Sequence, residues 1–190
     1  MRKFYKHLLI GLLLCSATVT QAATMSFTTN KAVGETFAIA MNPGLTVTVT
    51  WANGEKETFV TDGSMQTLTL ASSAFTLETD TEVTSLYVAG NGLTNMDLTN
   101  ISSSLKKLYC GNNELATLNL TNFKNLAEID AQGNKLTTFK VYGPQIVNGS
   151  DNQLATFAVS LLPRLKQVYL ADNQLKGLGV SSMTGVEQLF

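Results

Sequence analysis

The chain has 190 residues, with 13 Lys and Arg against 14 Asp and Glu, one His and two Cys. The one His is His7, and its loss with the N-terminal segment read below as a signal eliminates His-based catalytic triads and His metal centres. The charge balance lacks the basic footprint of a protein that binds nucleic acid or an anionic membrane surface.

The first 22 residues read as an export signal. Arg2, Lys3 and Lys6 form a basic start, Leu8 to Leu14 a short apolar run, and Thr20-Gln21-Ala22 the small residues expected at a cleavage site. The run is too short to cross a bilayer and no other stretch is long enough, so no membrane insertion is expected. Cleavage after Ala22 predicts a secreted or cell-surface protein of about 168 residues. It keeps 10 basic residues against 14 acidic ones and loses His7. Cys15 falls inside the signal; read instead as a lipid acceptor, it would follow Leu12-Leu13-Leu14. Once the signal is removed, Cys110 has no cysteine to pair with.

Residues 23–80 alternate apolar and polar in short runs, the pattern of a small antiparallel β domain of four to six strands. Phe37, Ile39 and Met41 share one face, as do Val47, Val49 and Trp51. Asn53-Gly54 predicts a tight hairpin, because both residues tolerate positive φ. Phe59 and Val60 lie on the return strand. Leu68 and Leu70, then Phe75 and Leu77, read as two strands joined at Ser72-Ser73.

Residues 81–190 repeat. The strings LYVAGNGL, LYCGNNEL, IDAQGNKL, VNGSDNQL and VYLADNQL place Asn at 91, 113, 134, 152 and 173, in steps of 22, 21, 18 and 21. This is the period and form of a leucine-rich repeat solenoid, about five repeats plus an incomplete sixth. Each rung carries a short strand on a concave parallel sheet and an apolar convex return. The returns align Leu93, Met96 and Leu98 with Leu115, Leu118 and Leu120, Leu136, Phe139 and Val141, Leu154, Phe157 and Val159, and Leu175, Leu178 and Val180. A further apolar rung comes from Ile101, Phe123, Leu162 and Met183. So short a convex side predicts turns, 3₁₀ or extended pieces. Six strands at ~4.8 Å span roughly 25 Å. The Asn column is read as structural, each amide satisfying backbone groups of its own and the adjacent turn. Cys110 takes an inward position with Val88, Ala131, Gly149 and Leu170, so it should be a packed core residue. The sixth rung stops at Val186-Glu187-Gln188-Leu189-Phe190. Without a polar cap, it predicts either a truncated array or end-to-end self-association.

The rung LKKLYCGNNELATLNLTNFKN has the form L-x-x-L-x-C-x-x-N-x-L-x-x-L-x-L. It resembles the internalin-like bacterial leucine-rich repeats, especially the J-type subclass with Cys at the inward strand position, although Cys110 alone keeps that Cys. The N-terminal unit is similar to the small polycystic-kidney-disease-type β domain that precedes such repeats in some surface proteins. Its acidic D-W-G-D-G turn is replaced here by Thr50-Trp51-Ala52-Asn53-Gly54, with both acids gone. The resemblance implies cell-surface recognition or adhesion.

Glu55 and Glu57 read as a solvated hairpin face. Glu128 and Asp130 share one side of a strand without a nucleophile beside them, so no enzyme, cofactor or metal site is expected. The candidate site is the outward face of the concave sheet: Tyr87, Tyr109, Asp130, Asn148 and Tyr169 in one column, with Phe190 at the last rung. Lys107, Glu128 and Gln167 flank it, with Lys106 and Lys166 nearby. Tyr at exposed sheet positions has two explanations, β-propensity with cross-strand stacking, or a recognition stripe of rigid rings with polar tips. The expected function is an exported binding module that holds a protein partner on this face. Two readings compete with it, a carbohydrate-binding surface protein and a structural fragment without a ligand of its own.

Overall fold

The computed structural model describes residues 22–159, 164–178, 183 and 185–190. The expected signal up to residue 21, with Cys15, and the convex positions Leu162 and Val180 lie outside them. Six strands come first: Ala23–Thr29 (β1), Thr36–Met41 (β2), Thr46–Trp51 (β3), Lys56–Val60 (β4), Gln66–Thr69 (β5) and Ala74–Thr79 (β6). Their alternation does what a period of two requires. Met25 and Phe27 of β1, Phe37 and Ile39 of β2, and Val47, Val49 and Trp51 of β3 are buried on facing sides. All pairings among the six are antiparallel, β4-β3-β6-β1 in one layer and β2-β5 in the other. Phe37 joins the layers, with ring centroids 5.9 Å from Phe27 and 5.0 Å from Phe75.

Two local expectations change. Between β3 and β4 only Gly54 is left-handed (φ 87°). The Gly54 N–H donates to Trp51 O and the Trp51 N–H to Glu55 O, both at 2.9 Å. The connection is therefore a longer loop closed by one glycine, not a two-residue turn with Asn53 also at positive φ. Ser72-Ser73 does not turn a hairpin either, since β5 and β6 belong to different sheets.

From residue 81 the chain winds as a β-solenoid of stacked parallel coils, with no α-helix among the described residues. One side carries Ser85–Tyr87 (β7), Lys107–Tyr109 (β9), Glu128–Asp130 (β11), Ile146–Asn148 (β13), Gln167–Tyr169 (β15) and Gln188–Leu189 (β16), parallel and in register. The return side carries Leu93–Asp97 (β8), a 3₁₀ turn at Thr99–Ile101, Thr117–Leu120 (β10), Thr138–Val141 (β12) and Ala158–Val159 (β14). β10, β12 and β14 form their own parallel sheet. β8 instead pairs antiparallel with β1, and a cleft of about 190 Å³ opens between β8 and β10.

The change of pattern near residue 80 is not a break in the structure. β2 lies antiparallel to β7, Ala40 beside Tyr87 and Met41 beside Leu86, so the sheet on this side runs through eight strands, β5-β2-β7-β9-β11-β13-β15-β16. Seven spacings of ~4.8 Å make it about 34 Å wide, more than the six repeat strands alone predict. The antiparallel unit closes the first coil and hides its edge, and one continuous apolar core runs from β1 to Leu170.

The Asn column explains how stacked turns bury their backbone. Asn113, Asn134 and Asn152 are buried. The Asn113 amide donates to Val88 O (3.0 Å) on the preceding coil and Cys110 O (2.9 Å) on its own, and its Oδ1 accepts the N–H groups of Asn91 and Leu93. Asn134, Asn152 and Asn173 repeat both donations, while each Oδ1 accepts one N–H, from Leu115, Leu136 and Leu154 in turn. Asn91 has no coil before it, and spends its amide on β2: Oδ1 accepts from Ala38 N (2.8 Å) and Nδ2 donates to Ala38 O (2.6 Å). Before each Asn the backbone is left-handed, at Gly90, Asn112, Gly133, Asp151 and Asp172. These are the residue types that tolerate φ near +55 to +70°.

Candidate recognition face

Strands of three residues leave one side chain inward and two outward. Leu86, Leu108, Ile129, Val147 and Val168 point inward and are fully buried. Register then fixes two outward columns. One is Ser85, Lys107, Glu128, Ile146, Gln167 and Gln188; the other is Tyr87, Tyr109, Asp130, Asn148 and Tyr169. All eight expected site residues thus share one face of one sheet. Cys110 is fully buried beyond the strand, with Val88, Ala131 and Leu170 in the same register. Gly149 completes that inward column, and a Cβ there would sit 3.1 Å from the Phe139 ring. A side chain at this position would require the Phe139 ring to shift by a few tenths of an ångström.

The aromatic residues do not form an unbroken stripe. Tyr87 stacks on Tyr109 with centroids 4.3 Å apart and planes 4° from parallel; Tyr169 stacks on Phe190 at 5.0 Å and 5°. Between the two stacks, two rungs carry Asp130 and Asn148. The result is a trough of about 280 Å³ with Tyr109 and Tyr169 as walls and Glu128, Asp130, Ile146, Asn148 and Gln167 along its floor. Ile146 is the floor residue that the sequence reading passed over, although its column position follows from the same register.

The polar groups differ in how well they are partnered. Glu128 accepts a short hydrogen bond from the Tyr109 hydroxyl and pairs with Lys107 at 3.2 Å. Burial, reinforced by that bond to Glu128, pushes the Tyr109 hydroxyl well above the usual phenol range, so it stays a donor. Asn148 donates to Gln132 Oε1 (3.0 Å) and accepts the Ser150 N–H (3.2 Å). Gln167 bonds to Gln188 (3.0 Å). Asp130 accepts only the Gln132 N–H (3.0 Å), and no cation lies within ion-pair distance of it among the described residues. Desolvation raises its carboxyl above the usual range; the Gln132 N–H offsets part of this, and the nearby Glu128 charge adds to it. Lys106 and Lys166 stand outside the strands, Lys166 paired with Glu187 at 2.8 Å.

Among the described residues no group of three or more His, Cys, Asp or Glu is placed to hold a metal ion, and no helix is long and apolar enough to cross a membrane. No protein-family model matches the chain, and no curated protein is a match.

Proposed function

We propose that this chain is an exported leucine-rich-repeat module that recognises a protein partner with its concave sheet. The observation that carries the reading is the division of labour across that sheet. Inward residues and the Asn ladder account for the core and the buried backbone. The outward columns of aromatic, charged and amide side chains are left for contact. Rigid rings with polar tips, set on strands and not on loops, are the side chains that anchor protein interfaces.

Coils of 18 to 22 residues, with Asn113, Asn134 and Asn152 buried and each bonded to two successive turns, support the leucine-rich-repeat identity and the internalin-like form. Export is supported by the basic, apolar and small-residue order of residues 1–22. Mass spectrometry of the mature N-terminus tests export: a retained Met1 or a lipid on Cys15 overturns it.

The recognition face is tested by immobilising the wild-type protein and the Tyr109→Ala/Tyr169→Ala variant against cell-surface extracts, with a glycan array in parallel. The expected result is a protein captured by the wild type and bound at least about thirtyfold more weakly by the variant, as for loss of anchors worth about 2 kcal/mol. Equal capture by a folded variant sinks the reading. Glycan binding without protein capture replaces it with the carbohydrate one.

A further inference from the structure

We propose that the trough between Tyr109 and Tyr169 receives one cationic side chain of the protein partner, the guanidinium of an arginine or the ammonium of a lysine, with Asp130 as its counter-ion. This rests on the reading of the concave sheet as the recognition face, and adds the chemistry of what it takes.

The first argument is charge. Each of the ion pairs on or beside the solenoid is closed within the fold: Lys107 with Glu128, Lys135 with Glu114, Lys166 with Glu187. Asp130 stands apart. It is partly buried in mid-sheet, one of its oxygens takes a backbone N–H, and no described cation reaches it. Withdrawing a carboxylate from water without a counter-charge is unfavourable, and the one Gln132 N–H offsets only part of it. With Glu128 neutralised by Lys107, the trough carries one net negative charge. That rejects phosphate, sulfate or an acidic peptide.

The second argument is the walls. Tyr87 and Phe190 cover one face each of Tyr109 and Tyr169. The remaining face of each ring looks into the trough, which both residues line. Asp130 is the direct register neighbour of Tyr109. A cation seated over Asp130 therefore lies about one strand spacing, ~4.8 Å, from the open face of Tyr109. That is within the ~6 Å over which an aromatic face attracts a cation. The Tyr109 hydroxyl, tied to Glu128, holds the ring in place.

The third argument is the floor. Ile146 sits one rung beyond Glu128 and offers an apolar strip to the methylene stem of a lysine or arginine. The Asn148 amide donates one bond to Gln132 and accepts one from Ser150, which leaves it one free N–H and no charge to attract a cation.

The test is an NMR titration of the full chain with N-acetyl-arginine amide and N-acetyl-lysine amide. The uncharged isostere N-acetyl-citrulline amide is the control. Expected are backbone shifts centred on Tyr109, Asp130, Asn148 and Tyr169 with the cationic probes, at least fivefold weaker binding of citrulline, and at least tenfold weaker binding of the cations by Asp130→Asn. Tyr109→Phe should keep binding and Tyr109→Ala lose it, which separates the ring face from the hydroxyl. No shift up to the solubility limit of the probes, equal binding of citrulline, or unchanged binding by Asp130→Asn each overturns the proposal. If the probes fail while the Tyr109→Ala/Tyr169→Ala variant still loses its captured protein, the cation site falls and the recognition face stands. If both fail, both fall.

Discussion

Replacing Asn113 by Ala puts a number on the Asn ladder. The side chain makes two bonds through Oδ1, from Asn91 N (2.9 Å) and Leu93 N (3.0 Å), and two short ones through Nδ2, to Val88 O (3.0 Å) and Cys110 O (2.9 Å), with Gly111 O farther off at 3.3 Å. Two of these carbonyls keep another partner: Cys110 O still accepts from Asn134 Nδ2 and Gly111 O from Gly90 N. Three backbone groups are orphaned, the N–H of Asn91, the N–H of Leu93 and the carbonyl of Val88. A buried group left without a partner costs about 1–3 kcal/mol. Some water can enter the space the side chain vacates, so the lower half of the range applies and the loss is about 4 kcal/mol. In a domain of this size each kcal/mol moves the midpoint by about 2–4 °C, so Asn113→Ala should melt about 8–16 °C below the wild type.

Asn173→Ala is the internal comparison. It deprives Leu154 N of its acceptor, but its amide is half-exposed and water can take its place. A loss of about 1 kcal/mol is expected. Urea unfolding followed by far-UV circular dichroism measures both, with unchanged m-values as the check that the unfolded reference is the same. If Asn113→Ala costs under about 1 kcal/mol, or no more than Asn173→Ala, the orphan count is wrong and water already serves these turns.

Cys110 should react with iodoacetamide only as the protein unfolds, because burial raises its thiol pKa and shields the sulfur; fast labelling of the native protein would mean a strand register slipped by one residue. Asp130→Asn should raise the thermal midpoint near pH 7 and leave it unchanged near pH 3. Since burial holds this carboxyl above its unfolded pKa, its favourable contribution is complete below the unfolded value and lost as pH rises through the folded one; a lower midpoint at neutral pH refutes this. Leu189 on edge strand β16 and Phe190 beside it, 45 % and 61 % exposed, should make the 190-residue chain self-associate as its concentration rises, and Leu189→Lys should suppress it. Static light scattering showing a monomer at every concentration overturns that.

The stacked coils were legible because a solenoid writes its geometry once per turn. The Asn at 91, 113, 134, 152 and 173 fixes the register of every inward and outward residue beside it, and so the whole candidate face. The left-handed column before those Asn was equally visible as Gly, Asn or Asp at each position, once the turn is known to need it. What the sequence hid was contact between distant segments. Nothing local says that β2 joins β7, or that Asn91 turns its amide to Ala38. The path through Ser72-Ser73 from one sheet to the other was hidden for the same reason: short alternating strands look alike whichever neighbour they pair with. The trough depended on ring stacking. Column order placed Asp130 and Asn148 between the tyrosines, but only the structure shows the rings paired in stacks at 4.3 and 5.0 Å, with Tyr109 and Tyr169 lining one trough.

Sheet formation accounts for part of the outward column and fails for the rest. Tyr at positions 87, 109 and 169 is what β-propensity favours, and stacking of neighbouring rings is a sufficient structural reason for each pair. Asp130 and Asn148 are the opposite case. They are among the residues most depleted in strands, yet they occupy adjacent central rungs of an eight-stranded sheet, between the aromatic stacks. A chain shaped only for stability would continue the ladder with Tyr, Val or Thr at both. The departure sits in the trough between the two stacks, and it introduces the one carboxylate of that face without a counter-ion among the described residues. Asp130 and Asn148 each take the N–H two positions ahead, Gln132 at 3.0 Å and Ser150 at 3.2 Å, which gives an amide or carboxylate a local role at the strand end. That role does not call for the uncompensated charge of Asp130, and the charge is the part assigned to contact. The pH series separates the two accounts: Asp130→Asn that stabilises the chain at neutral pH while abolishing cation binding shows a residue kept against stability, and one that does neither shows a tolerated surface position.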